Sequence, residues 1–402
     1  MSSLMVTRCS AVPRRCRPGG LAAATRLKAS LSQPPDLWGN PLPEKVGSKR
    51  LDWETLGFEY VPTKSHVRYV WKDGEWDAGR TYQDPYISVH ILGNVFHYGQ
   101  ALFEGFKGFH TKQGDVRVFG DSMCYERMAH GCRRFRIPEV PRSVWTRAID
   151  DVVRHNIGFV PPYGSGGALY VRPFIFGSGP RLGLGPSPEY TFTVFANPVG
   201  SYYKSDSGQM QTVDGLVNDQ YDRAAPLGCG DCKAAGNYAA DLESMYTSKR
   251  MGYPISLYLD ARERRYVEEF NTSNFVAITK DGRYLTPHAP RSVLDSNTNK
   301  MLQVLAKEMG ITVEVRPIDF EEEVESFAEV GAVGTAVVVT PLSSLTRGDR
   351  TWRFEAPNVL QQLRDKVRAI QCGEEEDRHG WMRHIDLEDQ PRQSLLSIYP
   401  GL

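Results

Sequence analysis

The chain has 402 residues, of which 41% are hydrophobic and 24% charged, and its 48 basic residues balance 48 acidic ones. A chain of this length can bury a large core without disulfide or metal support, and the missing basic surplus argues against a dedicated nucleic-acid-binding protein. The sequence contains no run of 18 apolar residues, so no transmembrane helix is expected. Seven scattered cysteines are too few for a disulfide framework and favour a reducing compartment.

Residues 1–35 differ in composition from the rest of the chain. They contain five arginines, one lysine and five serines, and the first acidic residue is Asp36. A basic, serine-containing segment without acids and without an apolar core is typical of a mitochondrial transit peptide. A basic tail of a cytoplasmic protein is the alternative, and the folded part is expected to start near Pro41.

The first half of the chain alternates between strand and helix patterns. Residues 66–71 alternate polar and apolar and lead into a turn at Asp73-Gly74, which indicates a strand entering a hairpin. Ser143 is a candidate N-cap of a helix that carries Val144, Ala148 and Val152 on one face. The further predicted elements are strands at 115–119, 167–177 and 189–196 and a helix at 121–136.

The second half shows the same mixture after an aperiodic stretch at 198–230, whose first part is interpreted as an interdomain connection. Gly310 is expected to end a helix over 298–309, because glycine favours the position just beyond a helix. The other predicted elements are a helix at 239–250 and strands at 255–259, 275–278, 311–315 and 336–339. The sequence therefore predicts an α+β protein with two domains around one cleft, a small domain at 41–202, a connection at 203–216 and a large domain at 217–402.

Two short motifs are weak indicators of function. Cys229 and Cys232 form a C-x-x-C pair, which is compatible with redox chemistry or half of a zinc site, but no second pair completes such a site and none is expected. The glycines at 177–185 lie between two predicted strands and do not open a helix. That context argues against a dinucleotide-binding fingerprint.

Five separated segments suit one anionic cofactor that carries a carbonyl group. Lys233 lies among glycines and alanines that leave room for a bulky group, and a lysine of this kind is a nucleophile for carbonyls. Glu268 or Glu269 has the charge to pair with a protonated pyridine nitrogen. Arg127, the helix start at 296–298 and the glycine-rich loop at 334–336 are candidate phosphate-binding groups. Together these groups point to pyridoxal 5'-phosphate.

From about Leu56 to Met382 the sequence resembles the branched-chain amino acid aminotransferases, which are class IV (fold type IV) pyridoxal-phosphate enzymes. The resemblance rests on segments that occur in the family's order. They include LGFEYVPT, HYGQALFEGFKGF, YERM, LYVRP, LGLGPSPEYTF, NPVGSYY, CKAAGNYAADL, VEEFNTSN, VLDSNTNKMLQVLA, VGTA and IQCGEEEDRHGWM. It implies a homodimer that transaminates branched-chain L-amino acids with 2-oxoglutarate, with the cofactor in the interdomain cleft.

The family's functional residues transfer to matching positions of this sequence. Lys233 resembles the Schiff-base lysine that also shuttles the proton, and Tyr238 resembles the tyrosine at the cofactor's phenolic oxygen. Glu269 matches the partner of the pyridine nitrogen, because the family's acid stands five residues before the position of Asn274. The resemblance implies cofactor contacts by Arg127, Thr272, Asn297, Thr298 and Thr335. It implies substrate contacts by Tyr98, Tyr170, Arg172, Tyr202 and Ala336.

The sequence departs from the family pattern at several positions near these residues. Asp295 replaces a usual proline just before the phosphate-binding helix, and a carboxylate there is unfavourable unless it points away or caps the helix. Asn271 replaces a glycine before Thr272. Such changes affect the expected substrate range and are compatible with an aminotransferase of specialised metabolism.

Other functions remain alternatives at this stage. A D-amino acid aminotransferase or an aminodeoxychorismate lyase would share the fold. A non-catalytic homologue that acts as a binding or scaffold protein is another alternative, but it would not need both Lys233 and Glu269. A thiol redox protein would use Cys229 and Cys232 instead.

Overall fold

The computed structural model of the chain describes residues 45–200 and 210–387. Helices and two large β-sheets alternate along this part of the chain, so the predicted α+β class is confirmed. Within the described ranges, each helix is too short or too polar to cross a bilayer. The predicted N-terminal segment at 1–35 lies outside the described residues.

The first sheet contains nine strands, and all of its strand pairs are antiparallel. The strands of its N-terminal part are β1 His66–Lys72, β2 Glu75–Trp76, β3 Arg80–Tyr82, β4 Ala101–Phe103, β5 Phe106–His110, β6 Val116–Phe119, β7 Ala168–Gly177 and β8 Glu189–Val199. The final strand of the chain's described part, β18 (Met382–His384), returns to this sheet and pairs with β6. The main order is β18-β6-β5-β7-β8-β1-β2, with β3 paired to β1 and β4 paired to β7.

The second sheet also has nine strands and folds back on itself. They are β9 Val213–Asn218, β10 Ile255–Leu259, β11 Val267–Phe270, β12 Asn274–Thr279, β13 Tyr284–Pro287, β14 Val313–Arg316, β15 Phe327–Gly334, β16 Val338–Arg347 and β17 Arg350–Arg353. Because β11 pairs with both β10 and β12, the path β11-β10-β9-β16-β15-β12 closes into a ring. Strands β13 and β14 extend it on one side, and β17 pairs with β16.

Eight α-helices connect and cover the sheets in the described ranges. They are α1 Asn94–Tyr98, α2 Asp121–Phe135, α3 Arg142–His155, α4 Ala235–Ala239, α5 Leu242–Arg250, α6 Asn297–Glu308, α7 Phe320–Glu323 and α8 Val359–Gln371. The amphipathic helix α3 buries Ala148, Ile149 and Val152 completely against the first sheet. Burying each large aliphatic side chain contributes about 1.5–3 kcal/mol, so this face holds the helix in place.

Three hydrophobic clusters form the core. One packs α2 and α3 on the first sheet. A second joins both sheets through α6 and α8, where Leu302, Leu305 and Leu363 are buried. The third fills the ring of the second sheet with side chains such as Phe270 and Phe275.

Several local predictions are correct, and four need correction. Gly310 follows α6 with φ +78°, as predicted for a residue that ends a helix. Ser143 does not cap α3, because the helix already begins at Arg142 with Pro141 before it, and proline's fixed φ suits a helix start. The helix expected at 239–250 is two helices, with α5 starting only at Leu242.

The other two corrections concern the second sheet. Strand β9 begins at Val213, inside the stretch predicted as a connection, because its neighbours β10 and β16 supply parallel partners that no local pattern reveals. The strand expected at 336–339 begins at Val338, since residues 335–337 form the turn between β15 and β16. That turn belongs to the candidate site.

Candidate active site

A cavity of about 850 Å³ opens between residues of both sheets. The first sheet contributes Phe103 from β4 and Tyr170 and Arg172 from β7, and the second contributes the loops at 271–274 and 334–337. Ten of the thirteen residues predicted for the site line this cavity. They are Arg127, Tyr170, Arg172, Lys233, Tyr238, Thr272, Asn297, Thr298, Thr335 and Ala336.

Lys233 lies at the cavity in a tight loop just before α4. Its Nζ atom donates a hydrogen bond of 3.1 Å to the hydroxyl of Tyr238, which lies 5 residues further along the chain. The backbone is fixed on both sides, because the Lys233 carbonyl accepts the amide of Phe103 and the Asn237 side chain bonds the carbonyls of Cys229 and Cys232. The amine is therefore held next to an aromatic hydroxyl in a rigid loop.

Glu269 lies behind the cavity wall, is buried and has three polar partners. Its Oε1 atom accepts the amide of Leu294 at 3.2 Å, and its Oε2 atom accepts the Asn274 side chain at 3.1 Å. The guanidinium of Arg223 stands 3.5 Å from Oε1. Burial raises the pKa of Glu269 to about 7, while Arg223 and the Leu294 amide oppose this shift. The carboxyl can thus hold or release a proton near neutral pH.

The neighbouring Glu268 takes a different direction, because successive side chains of a strand point to opposite faces. It lines a separate cavity on the far side of Arg127 and leaves its Oε2 atom without a partner. Burial raises its pKa to about 7 as well. The geometry therefore favours Glu269 over Glu268 as the acid of the site.

One end of the cavity is built to hold an anion. Asn297 and Thr298 are the first residues of α6, whose N-terminal amides lack partners within the helix and carry its positive dipole end. The hydroxyl of Ser296 accepts the amide of Asn299 at 3.2 Å and so caps this helix. Asp295 points away and forms an ion pair with Lys300, which removes the conflict expected from its charge.

Arg127 reaches the same end from α2. Its Nε and Nη2 atoms donate to both oxygens of the fully buried Glu104, at 2.7 and 2.8 Å, and Nη1 donates to the Asp295 carbonyl at 3.0 Å. This bidentate ion pair fixes the guanidinium beside the start of α6. A fixed cation next to free helix amides is suited to a phosphate dianion.

The opposite wall combines aromatic and cationic groups. Arg172 donates a hydrogen bond of 2.7 Å to the Tyr170 hydroxyl, and its guanidinium lies 4.7 Å from the centroid of the Phe103 ring. Gly105 allows this arrangement, since a Cβ atom there would lie 2.0 Å from the Tyr170 hydroxyl. This wall can take an apolar side chain and also meet a carboxylate.

Three predicted residues do not line the cavity. Glu269 lies just behind it, as described above. Tyr98 is 41% exposed on α1 and donates its hydroxyl hydrogen to the carbonyl of Leu182, away from the cavity of this chain. Tyr202 lies outside the described residues.

Sequence reasoning missed two charged residues that organise the site. Glu104 lies 23 positions before Arg127, and nothing in the sequence apart from the glycine that follows it marks Glu104 as a residue of the site. Arg223 lies in the aperiodic stretch at 198–230, where no periodicity marks a buried residue. Its Nε and Nη1 atoms are buried without a hydrogen-bond partner, which is unusual because buried polar groups are normally hydrogen-bonded.

These groups fit pyridoxal 5'-phosphate. Arg127, the amides of Asn297 and Thr298 and the Thr335 side chain would form a phosphate cradle, Lys233 would supply the amine, and the buried Glu269 behind the cavity wall would pair with a ring nitrogen. The fold and the donor set thus define a pyridoxal-phosphate-dependent transferase of amino groups.

Comparison with known proteins identifies the family. The family described as amino-transferase class IV matches residues 101–345, and the chain belongs to this family. Class IV aminotransferases depend on pyridoxal phosphate, so the cofactor predicted from the sequence is confirmed.

The relatives are consistent with this assignment. The chain is 38% identical to the branched-chain-amino-acid aminotransferase of Helicobacter pylori over 84% of this chain and 98% of that protein. It is 35% identical to the enzyme of the same name from Haemophilus influenzae, over 84% of this chain and 100% of the other. The crystal structure of the Escherichia coli branched-chain amino acid aminotransferase is similar with a TM-score of 0.64 at 27% identity, covering 79% of this chain and 99% of that one.

Proposed function

We propose that this enzyme transfers amino groups reversibly between branched-chain L-amino acids and 2-oxoglutarate. The observation that carries the proposal is the cavity itself, in which Lys233 and the anion-binding end at the start of α6 face an aromatic wall that contains Arg172, with the buried Glu269 carboxyl just behind the cavity wall. Leucine, isoleucine and valine suit the aromatic wall, and glutamate requires the cation. Relatives that are 35–38% identical over most of the chain carry the same activity in their names.

The reaction divides among residues with separate tasks. When bound, pyridoxal phosphate supplies a carbonyl that condenses with amines and a ring that accepts an electron pair. Lys233 would take the proton from the substrate Cα atom and deliver a proton to the cofactor carbon that receives the amino group, and the Tyr238 hydroxyl orients the lysine amine. Glu269 keeps a proton on the ring nitrogen, which preserves the ring's electron affinity.

Substrate binding uses the remaining groups of the cavity. The amides of Thr335 and Ala336, in the turn between β15 and β16, are placed to bind the α-carboxylate. Arg172 and Tyr170 accommodate the distal carboxylate of glutamate and 2-oxoglutarate. Both halves of the reaction use one site in turn, so ping-pong kinetics are expected.

The visible absorbance of the purified holoenzyme tests this function directly. A yellow band that bleaches on addition of L-leucine, with glutamate formed when 2-oxoglutarate follows, would support it. A yellow band that ignores L-leucine but responds to D-alanine would transfer the proposal to a D-amino acid aminotransferase. A protein that stays colourless with added pyridoxal phosphate would contradict both.

The enzyme is further proposed to act as a homodimer. The exposed apolar side chains of Ile91, Phe96, Leu182 and Leu184 form one surface, because α1 and the loop at 181–185 are joined through the Arg181 amide and the Tyr98 hydroxyl. Sedimentation of the wild type and of a Leu182→Glu/Leu184→Glu variant tests this. A wild type that remains monomeric at micromolar concentration would contradict the proposal.

Mitochondrial localisation is proposed from the composition of residues 1–35 alone. Fusion of residues 1–40 to a fluorescent reporter tests it, with a matched fusion in which the six basic residues are replaced by glutamine. A purely cytosolic signal from the unaltered segment would support the cytoplasmic alternative.

A further inference from the structure

A group of metal-ligating side chains lies outside the active-site cavity. His130 from α2 meets Asp231 and Cys232 from the loop before Lys233, and one ligand atom from each lies within 4.8 Å of the other two. The His130 Nε2 atom is 2.9 Å from Asp231 Oδ2, and the Cys232 Sγ atom is 3.6 Å from Asp231 Oδ1. No local spacing in the sequence brings these three together, because His130 and Asp231 are 101 positions apart.

The separations are close to those at the corner of a tetrahedral metal site. Zinc–ligand bonds of about 2.0–2.3 Å place neighbouring ligand atoms roughly 3.3–3.8 Å apart. The Cys232–Asp231 separation of 3.6 Å lies in this range. The His130 Nε2 atom is 2.9 Å from the other oxygen of Asp231, which is a hydrogen-bond distance, so a bound ion would replace this hydrogen bond and move the two groups slightly apart. An imidazole, a carboxylate and a thiolate are also the mixed nitrogen, oxygen and sulfur set that a borderline-soft cation prefers over a hard one.

The loop that carries two of the ligands is rigid before any ion binds. The amide of Asp231 donates to the Arg291 carbonyl, and the amide of Cys232 donates to the Cys229 carbonyl. The Asn237 side chain donates to the carbonyls of Cys229 and Cys232 at 2.9 and 3.0 Å. Gly230 packs so closely that a Cβ atom there would lie 2.1 Å from the Ser292 carbonyl oxygen. Preorganised ligands lose little entropy on binding, which favours affinity.

Access to the three ligands is asymmetric. The His130 side chain is 48% exposed and borders the solvent, whereas Cys232 is almost completely buried beneath Asp231. A divalent ion can therefore enter from the His130 side and retain a water in its fourth position. Binding forms a metal–sulfur bond and releases the Cys232 thiol proton to solvent, so affinity increases with pH.

We propose that His130, Asp231 and Cys232 form a binding site for a zinc-class divalent transition-metal ion. The ion would join the helix that carries Arg127, one turn before His130, to the loop that carries Lys233, directly after Cys232. It would thus couple α2 to the lysine loop without touching the reacting atoms, and its expected role is to stabilise the loaded site.

Zinc binding to the chelator-washed holoenzyme, measured by competition with a chromophoric zinc chelator, tests the site. The wild type should bind one equivalent at micromolar or lower concentration, with a higher melting temperature. His130→Gln and Cys232→Ser should each weaken binding at least about tenfold, the lower end of the effect of losing even an outer-shell partner. Magnesium should not compete, since a hard cation gains little from a thiolate.

Matched controls distinguish this site from other thiols and histidines. Cys229→Ser should bind zinc as the wild type does, because the Cys229 Sγ atom faces Asn237 and is not part of the group. His288 lines, together with His130, the separate cavity that Glu268 borders. His288→Gln therefore removes a nearby histidine that is not part of the group, and it should also leave zinc binding unchanged. Equal zinc affinity in the wild type and in His130→Gln, an exposed substitution that does not endanger folding, would overturn the proposal, as would the absence of a micromolar site in the wild type.

Discussion

Lys233 is the residue on which the proposed chemistry depends most directly. Replacing it by alanine removes the amine that moves the proton, while the Tyr238 hydroxyl stays in place. Since positioned acid–base groups contribute about 10²–10⁴-fold, the turnover number should fall by at least this factor. Steady-state transamination of L-leucine measures the loss, and the phosphate cradle should still retain the cofactor. Near-normal turnover in Lys233→Ala would refute the assignment.

The ionisation of Glu269 depends on Arg223, which sequence reasoning did not identify. Burial raises the pKa of Glu269, and Arg223 at 3.5 Å lowers it. The carboxyl must be ionised to keep a proton on the ring nitrogen. Removing the cation in Arg223→Met should raise the pKa of Glu269 further, so that activity is lost at a higher pH as the solution is acidified.

The dependence of kcat/KM on pH measures this shift. We expect the acidic limb of Arg223→Met to move upward by about one unit or more, given the strength of a charge pair at this distance. Arg223→Lys keeps the positive charge and should shift the limb much less. An acidic limb that is identical in the wild type and in Arg223→Met would show that Arg223 acts in some other way.

Helix α6 combines a structural role with phosphate binding at its first turn. Ser296→Ala removes the side-chain acceptor for the Asn299 amide and should cost about 1 kcal/mol of the free energy of unfolding. The same loss loosens the amides of Asn297 and Thr298, so affinity for pyridoxal phosphate should fall several-fold. Chemical denaturation and cofactor titration measure the two effects.

Ser296→Thr is the matched control for this element, because threonine retains the capping hydroxyl. It should stay close to the wild type in both measurements. A Ser296→Ala protein with reduced stability but unchanged cofactor affinity would separate capping from phosphate binding and contradict the proposed cradle.

The helices and hairpins illustrate which elements local patterns can predict. The turn at Asp73-Gly74 between β1 and β2 follows from glycine's freedom to adopt φ +94° there, and the end of α6 follows from Gly310 with φ +78°. Strand β9 was missed because its parallel partners are distant in the sequence. Neighbouring residues determine turns and helix ends, whereas the pairing of parallel strands depends on chain segments that meet only after folding.

At the scale of the whole molecule, the C-terminal strand of the described chain packs against the first sheet and two of its helices. Strand β18 pairs with β6, and Arg383 donates hydrogen bonds of 2.7 Å to both Asp121 on α2 and Asp150 on α3. Asp121 is almost fully buried, so loss of its partner leaves a charge poorly compensated. Arg383→Met should therefore destabilise the protein by roughly 1–3 kcal/mol.

Chemical denaturation of the holoenzyme measures this contribution. Arg378→Met is the control, because its side chain is 78% exposed and its ion pair with Glu376 is expected to contribute little. If both variants unfold at the same denaturant concentration as the wild type, the contacts of Arg383 do not stabilise the fold.

The sequence by itself determined the family, the cofactor and the helix that begins near residue 297, because each motif behind these predictions is a short contiguous segment that can be recognised without its neighbours in space. The tertiary structure alone decided which charges organise these parts. Glu104 joins Arg127, Arg223 joins Glu269, and His130 joins Asp231 and Cys232. The physical reason is that charge pairing and burial depend on distances in space, and these partners come from chain segments that approach one another only in the folded protein.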